Sequence, residues 1–208
     1  MNSETQKSHA MRRRPRQVRS QERVNQILDV AEALFISEGY TATTTNAIAT
    51  TAKVSIGSLY QFFPDKAAIL KALAERYNVK LREILIETNS ETVDVGVYAE
   101  EIIDVVYDFF ITNLGYYAIF ISLQGVMPKL QEIDELADAQ LIQDLAVTLG
   151  KYYSHLEIDA RDRISFVLVK TIGNLVWIAL GQTEGLRDQL IDETKRLIVN
   201  YLRSYAAE

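Results

Sequence analysis

A short stretch near residue 60 combines small and hydrogen-bonding residues at the spacing of one helix face. These residues are Ser55, Gly57, Ser58 and Gln61, and most of the residues between them are apolar. Side chains with little bulk and several donors and acceptors can approach base edges in a DNA major groove without a steric clash. The chemistry that this face indicates is therefore hydrogen bonding to nucleic acid.

Two short helices joined by a tight turn are predicted to position this face. A side-chain oxygen of Thr44 or Thr45 can cap the first helix, and Ser55 can cap the second. The apolar positions of the first helix share one face: Ile48, Ala49 and Ala52. The second helix carries Ile56, Leu59, Tyr60 and Phe63 before Pro64 stops it. A helix of about two turns is not stable alone, so neighbouring helices must hold it.

The run VSIGSLYQFFPDK over residues 54–66 resembles the DNA-binding domain of the TetR family. A predicted helix ending in Glu38, Gly39 and Tyr40 precedes it, and threonines occupy positions 43–45. The resemblance covers roughly the first third of the chain. It is specific because the helix lengths, the glycine, the tyrosine and the lysine after the proline all occur at the positions that the family pattern has. One position departs from the pattern, since Phe62 stands where many members have histidine.

The resemblance also implies roles for individual residues. It implies phosphate contacts by Thr45, Tyr60 and Lys66. It implies that four residues lie towards the bases: Asn46, Ile56, Gly57 and Gln61. The full DNA interface that we expect also includes the capping and small residues beside them: Thr44, Ser55 and Ser58.

The composition excludes several kinds of site. The chain of 208 residues has no cysteine, which rules out disulfides and thiolate metal sites. No uninterrupted apolar run reaches the roughly 20 residues of a membrane span. The N-terminus is polar and basic, without the apolar segment of a secretory signal. We therefore expect a cytoplasmic protein that is not associated with a membrane.

The net charge of −6 is divided unevenly along the chain. Residues 1–80 carry 12 Lys and Arg against 7 Asp and Glu, whereas the remainder carries 10 against 21. A basic end on an acidic body suits a protein that touches double-stranded DNA at one end only. Residues 1–20 are predicted to be a disordered basic arm. Its arginines either contact DNA or form a solvated tail.

Helical periodicity extends through the rest of the chain, which predicts an all-α fold. A core helix over residues 20–37 precedes the helix-turn-helix, and a rod over residues 65–88 follows it. Further helices are predicted over residues 97–113, 116–124, 128–153, 160–181 and 186–205. The predicted domains are an arm (1–20), a helix-turn-helix DNA-binding domain (21–66) and a larger helical ligand-binding and dimerisation domain (67–208).

The last two predicted helices are apolar on more than one face. Two apolar faces need two packing partners, either within the chain or in a second copy of it. Gly173 and Ala179 would allow a close approach between helices. We favour a homodimer through a four-helix bundle, because one short recognition helix reads too few base pairs.

Aromatic residues are dense in the central helices of the predicted larger domain. Aromatic side chains with hydroxyl groups fit an apolar pocket that orients a small molecule by a few hydrogen bonds. The alternative is that each of them is simply a core residue. Because the resemblance implies a ligand-binding domain, we expect five of them to line a site for a small-molecule effector: Tyr107, Phe110, Tyr117, Phe120 and Trp177.

Enzymatic activity has no positive support in the sequence. His155 and Asp159 could be two metal ligands, but third and fourth ligands are not apparent, which favours a solvated loop. Neighbouring acids such as Asp134 and Glu135 point apart on a helix, so they do not form a catalytic pair. Neither a glycine-rich phosphate loop nor a G-x-S-x-G motif is present. No catalytic residue, cofactor or metal site is predicted.

The combined prediction is a ligand-responsive DNA-binding regulator, expected to act as a repressor on a palindromic operator. The alternative is a DNA-bound adaptor whose larger domain binds a protein instead of a small molecule. The sequence names neither the effector nor the operator. Release of DNA by the effector is what the resemblance to the family implies.

Overall fold

The computed structural model describes residues 18–88, 94–113, 115–116 and 128–206. Eight helices and no strand occupy these ranges, which confirms the predicted all-α fold. The helices are α1 (Val18–Glu38), α2 (Thr45–Thr51), α3 (Ile56–Phe62), α4 (Lys66–Glu87), α5 (Val95–Thr112), α6 (Pro128–Tyr152), α7 (Ile158–Leu180) and α8 (Glu184–Arg203). Most of the predicted 116–124 helix lies outside the described residues, as does most of the arm.

The described chain forms two compact units. Among the described residues, one unit contains 18–77, 115–116 and 128–133, and the other contains 78–88, 94–113 and 134–206. Helix α4 begins in the first unit and ends in the second. The functional domain boundary at residue 66 stays a prediction, because compact packing and function need not divide a chain at the same residue.

The first unit has a core built from the predicted apolar stripe of α1. Side chains of all three following helices are buried in the same unit. The buried residues are Val24, Ile27, Leu28, Ala31 and Phe35 of α1, Ile48 and Ala49 of α2, Leu59 and Phe62 of α3, and Ile69, Leu70 and Leu73 of α4. Burial of this area stabilises α2 and α3, which are only seven residues long.

The second unit is organised around α5, α7 and α8, which pack on one another. Ion pairs on its surface join Arg82 to Asp144 at 2.6 Å and Lys195 to Asp104 at 2.5 Å. The buried hydroxyl of Tyr153 donates to the carbonyl of Leu202 at 2.6 Å. This bond holds the chain after α6 against the end of α8.

Helix α7 is long and apolar enough to cross a membrane by length and composition alone. It is the one helix of this kind within the described ranges. A helix that packs inside a protein passes the same test. One face of α7 is buried, and its residues include Ile164, Leu168 and Val176.

Candidate nucleic-acid interface

Helix α2 begins at the threonine-rich segment as predicted. Thr44 is the N-cap, and its hydroxyl accepts a hydrogen bond from the backbone N–H of Ala47 at 3.1 Å. Ile48 and Ala49 face the core, whereas Thr44 and Asn46 are exposed. The cap therefore fixes the start of α2 and leaves polar groups at its N-terminal end facing solvent.

The turn from α2 to α3 is closed by backbone hydrogen bonds. The N–H of Val54 donates to the carbonyl of Ala49 at 3.0 Å, and the N–H of Lys53 donates to that of Thr50 at 3.1 Å. Lys53 has φ of 52°, the only positive φ at a non-glycine residue in the described ranges. Ser55 then caps α3 by accepting from the N–H of Ser58 at 3.1 Å.

Helix α3 separates its buried face from its exposed face clearly. Leu59 and Phe62 are buried, and Phe62 is only 5% exposed. The predicted reading residues Ile56, Gly57 and Gln61 are all exposed. A Cβ added at Gly57 would meet nothing within 4 Å, so the surface above it is open. The absence of histidine at position 62 therefore removes no side chain from the exposed face.

Two predicted phosphate ligands lie side by side. The hydroxyl oxygens of Thr45 and Tyr60 are 3.0 Å apart, within hydrogen-bonding distance, and the Tyr60 side chain is 40% exposed. This contact joins the first residue of α2 to the exposed face of α3. Two adjacent hydroxyl groups can donate to oxygens of one phosphate, since each hydroxyl carries a donor that rotates.

The third predicted phosphate ligand, Lys66, is placed differently. Its ammonium donates to the backbone carbonyls of Tyr40, Thr41 and Thr43 at 2.5, 3.2 and 2.7 Å. It also lies 4.4 Å above the ring of Tyr40. Burial lowers the pKa of this lysine, because desolvation disfavours its charged form. The ammonium is thus turned towards the turn before α2.

Two residues of this region were not singled out from the sequence. Thr43 is a buried polar residue whose hydroxyl donates to the carbonyl of Gly39 at 2.9 Å. Lys53 is exposed in the turn and is the only cation between residues 39 and 65. Charge could have revealed Lys53, whereas the bond of Thr43 to Gly39 depends on the conformation of the turn after α1, which composition does not specify.

The aromatic residues predicted to bind an effector are only partly described. The rings of Phe110 and Trp177 meet edge to face with centroids 6.0 Å apart, and Tyr107 is half-buried. Tyr117 and Phe120 lie outside the described residues. The structure adds a stacked pair from outside the five predicted residues, Tyr98 and Tyr152, with centroids 5.6 Å apart. All of these described aromatics belong to the second unit.

Burial strongly shifts the pKa of one tyrosine of this pair. It raises the pKa of Tyr98 to about 12, because desolvation disfavours the phenolate. The phenol of Tyr98 therefore stays protonated to higher pH than an exposed tyrosine does.

The described residues contain no cluster of three or more metal-ligating side chains. His155 instead has its Nε2 atom 3.1 Å from the carbonyl oxygen of Tyr205, and its ring contacts that of Tyr153. This geometry gives His155 a hydrogen-bonding and packing role near the end of α8.

Two family descriptions match the chain. "Bacterial regulatory proteins, tetR family" matches residues 27–73, which contain α2, α3 and most of α1. "Tetracyclin repressor-like, C-terminal domain" matches residues 96–202, about half of the chain. The first match ends within α4, at residue 73, and the second begins within α5, at residue 96, and ends within α8.

Individual proteins give the same result. The uncharacterized HTH-type transcriptional regulator YuxN of Bacillus subtilis (strain 168) is 30% identical over 116 residues, which cover 53% of this chain and 38% of YuxN. The HTH-type transcriptional regulator HbdR of Aromatoleum sp. (strain CIB) is 50% identical over 50 residues, 24% of this chain and 22% of HbdR. These matches span less than half of each relative's length.

A solved structure extends the similarity to nearly the whole fold. The crystal structure of a TetR-family transcriptional regulator from Streptomyces coelicolor has 25% identity and a TM-score of 0.66. The match covers 88% of this chain and 99% of that one. The similar proteins are DNA-binding regulators and not enzymes. The helix-turn-helix geometry and these matches agree that the chain belongs to the TetR family of bacterial transcriptional regulators.

Proposed function

We propose that this regulator is a cytoplasmic homodimer that binds a palindromic operator as a repressor and is released by a small, largely apolar or aromatic molecule. The observation that carries the proposal is the exposed polar face of α3 beside the paired hydroxyls of Thr45 and Tyr60. The exposed polar residues of α3 and the paired hydroxyls lie on adjacent elements, which supports a division between base-reading and phosphate-binding groups.

The proposed DNA interface consists of the exposed ends and faces of α2 and α3. Gln61 has an amide that can bond two atoms of an adenine edge, and Ile56 can contact a thymine methyl. The open surface over Gly57 allows the backbone to approach the groove. Thr45 and Tyr60 would fix the register on the phosphates. Thr44, Asn46, Ser55 and Ser58 complete the proposed interface.

Dimerisation is supported by the outward faces of α7 and α8. Phe166 is 53% exposed on α7 and Leu197 is 52% exposed on α8, while the opposite faces of both helices are buried. Further exposed apolar residues of these two helices are Val167, Ile178 and Leu186. A Cβ added at Gly173 would meet nothing within 4 Å, so a second helix can approach there. A second copy of the chain would cover this surface as a four-helix bundle.

Effector binding in the second unit is supported by its aromatic content. Phe110 and Trp177 supply apolar ring surface, and Tyr98 places a phenol in buried surroundings. This combination suits a ligand with apolar or aromatic bulk and few polar atoms. The proposed contacts are Tyr107, Phe110 and Trp177, together with Tyr117 and Phe120 outside the described residues.

The proposed regulation is a shift between two arrangements of the dimer. Helix α4 has 22 residues and is about 33 Å long at 1.5 Å per residue. A displacement of its far end would move α3, so that the two recognition helices would no longer match major grooves about 34 Å apart. An effector that binds the released state about a hundredfold better supplies about 2.7 kcal/mol of coupling.

Selection of random duplex DNA by the purified protein tests this function. We expect enrichment of an inverted repeat whose half-sites are about one helical turn apart, because a two-fold dimer presents two recognition helices. Enrichment of a single unrepeated half-site would contradict the dimer. If protein that has been denatured, freed of small molecules and refolded also enriches no sequence, the DNA-binding proposal is wrong.

The enriched duplex then separates an effector-binding regulator from an adaptor. Apolar and aromatic compounds are screened for release of the labelled duplex and for a rise in melting temperature. A compound that does both supports the effector, since it must bind the released state preferentially. Extraction of the native protein provides an independent control, because a bound molecule would appear in the extract.

A further inference from the structure

The ammonium of Lys66 lies at the centre of three carbonyl groups from one turn. A lysine ammonium has three N–H donors, and here Tyr40, Thr41 and Thr43 each supply one acceptor at 3.2 Å or less. The ring of Tyr40 covers the same cation at 4.4 Å. All donors that a phosphate would use are thus engaged within the protein.

The turn that receives these bonds connects α1 to α2. Gly39 ends α1 with φ of 82°, a conformation that glycine adopts without strain. The hydroxyl of Thr43 donates to the carbonyls of Gly39 and Leu34 at 2.9 and 3.3 Å. Thr44, the next residue, caps α2. Any displacement of this turn therefore shifts the start of α2 and the Thr45 hydroxyl.

The start of α4 is an unfavourable place for a lysine that lacks such acceptors. The N-terminus of a helix carries a partial positive charge, so a cation there is repelled. The carboxylate of Asp65 already bonds the N–H of Ala68 at 2.8 Å and supplies an anion to this terminus. A phosphate brought to the same terminus would be repelled by that carboxylate.

We infer that Lys66 is a positioning residue that holds the α1–α2 turn against the start of α4, and that it does not contact DNA phosphate. This replaces the phosphate role that the family resemblance implies for Lys66. Its effect on affinity rests on the proposed DNA binding, whereas its effect on the turn does not. Lys66 acts on DNA only through the placement of Thr45 and α2.

Two variants of the full chain separate the two roles. Lys66→Met keeps the aliphatic stem and removes the charge. Lys66→Arg keeps the charge, but a planar guanidinium cannot direct three donors at three carbonyls around one point as an ammonium does. Lys53→Gln is the matched control, since it removes an exposed cation from the neighbouring turn.

The measured quantities are the melting temperature without DNA and the affinity for the selected operator at several salt concentrations. We expect both Lys66 variants to melt about 5 °C lower than the wild type, and Lys53→Gln to melt within about 1 °C of it. We expect both Lys66 variants to bind about tenfold more weakly, with an unchanged slope of log affinity against log salt concentration.

A phosphate contact gives the opposite pattern. Lys66→Met would then melt like the wild type and lose about 0.9 from the magnitude of the salt slope, while Lys66→Arg would keep both affinity and slope. That result would overturn the inference. A melting temperature of Lys53→Gln as low as that of Lys66→Met would also overturn it, because the loss would then reflect charge alone.

Nuclear magnetic resonance of 15N-labelled lysine gives a readout that does not require a folded variant. In the wild type we expect the Lys66 ammonium, assigned by its contact with the ring of Tyr40, to be protected from solvent exchange and to keep its chemical shift when the operator is added. A Lys66 ammonium that exchanges freely, or one that shifts on addition of the operator, contradicts the inference. The melting and exchange measurements remain decisive even if the wild type binds no DNA.

Discussion

At the scale of residues, α2 and α3 expose two kinds of hydrogen-bonding group, hydroxyls and an amide. Thr45 and Tyr60 meet at 3.0 Å and expose hydroxyls that suit a phosphate. Gln61 is exposed on α3, where an amide can distinguish base edges. Because phosphates carry no sequence information and base edges do, substitutions at these residues must differ in their effect on specificity.

Tyr60→Phe removes one hydroxyl and retains the ring. We expect affinity to fall about tenfold for all duplexes alike, since one hydrogen bond to a charged group contributes about 1.5 kcal/mol. Binding curves for the selected operator and for unrelated DNA measure this. An altered order of preferred bases would contradict a phosphate role for Tyr60.

Gln61→Ala removes the amide and leaves the phosphate contacts in place. We expect the preferred base at one position of each half-site to change or to become degenerate, with a cost of about 1–3 kcal/mol for the original operator. Repeating the random-duplex selection with this variant measures the change. A preference profile identical to that of the wild type would remove Gln61 from the reading residues.

At the scale of elements, the short helices depend on the longer ones. In the first unit, Arg76 of α4 bonds Asp29 and Glu32 of α1 at 2.5 Å each, and the hydroxyl of Tyr77 also donates to Glu32. Together with the buried apolar residues, these bonds fix α1 against α4. In the second unit, α7 and α8 each bury one face and expose apolar residues on another, which is the surface that the proposed dimer would cover.

Leu197→Glu tests the exposed face of α8. We expect this charge to prevent dimerisation, because it would be buried unpaired between two copies. Sedimentation measures the loss of dimerisation. We expect the monomer to bind the operator more weakly than the dimer does. The matched control is Leu136→Glu, a leucine that is 74% exposed on α6, a helix outside the proposed interface. If Leu197→Glu forms dimers as stable as those of the control, this face of α8 is excluded from the dimer interface.

At the scale of the whole molecule, charge and buried tyrosines set the conditions under which the protein works. Its basic residues are concentrated before residue 80 and its acidic residues after it, which favours approach to DNA at one end. Burial raises the pKa of Tyr98, Tyr153 and Tyr201 to about 12 in each case. These phenols are therefore neutral in the folded protein at pH values where an unfolded chain begins to ionise.

The shifted tyrosines predict a loss of stability in alkali. A folded-state pKa above the ordinary value of 10 gives stabilisation that is fully present below pH 10 and is lost as the pH rises towards about 12. Denaturant unfolding between pH 9 and about 11.5 measures the free energy, and phenolate absorbance reports ionisation. A free energy of unfolding that does not fall over this range would contradict the burial of these phenols.

Much of the helix geometry at the proposed DNA interface could be predicted from local patterns. Ser55 and Thr44 cap α3 and α2 as expected, because capping depends on residues a few positions apart. The ends of α5, α7 and α8 agree with the predicted ends to within two residues, since helical periodicity is also local. The hydroxyls of Thr45 and Tyr60 meet although the two residues are 15 positions apart. The sequence predicted both residues for the same interface, but it did not predict that they contact each other.

The sequence by itself determined the helical fold, the helix-turn-helix and the family, because periodicity, caps and a contiguous motif depend on neighbouring residues. Only the tertiary structure decided where Lys66 directs its ammonium, since its acceptors are 23 to 26 positions away. It also decided that Phe62 is buried and that Lys53 has a left-handed backbone conformation. Side-chain direction depends on the packing of distant segments, and spacing along the chain does not encode that packing.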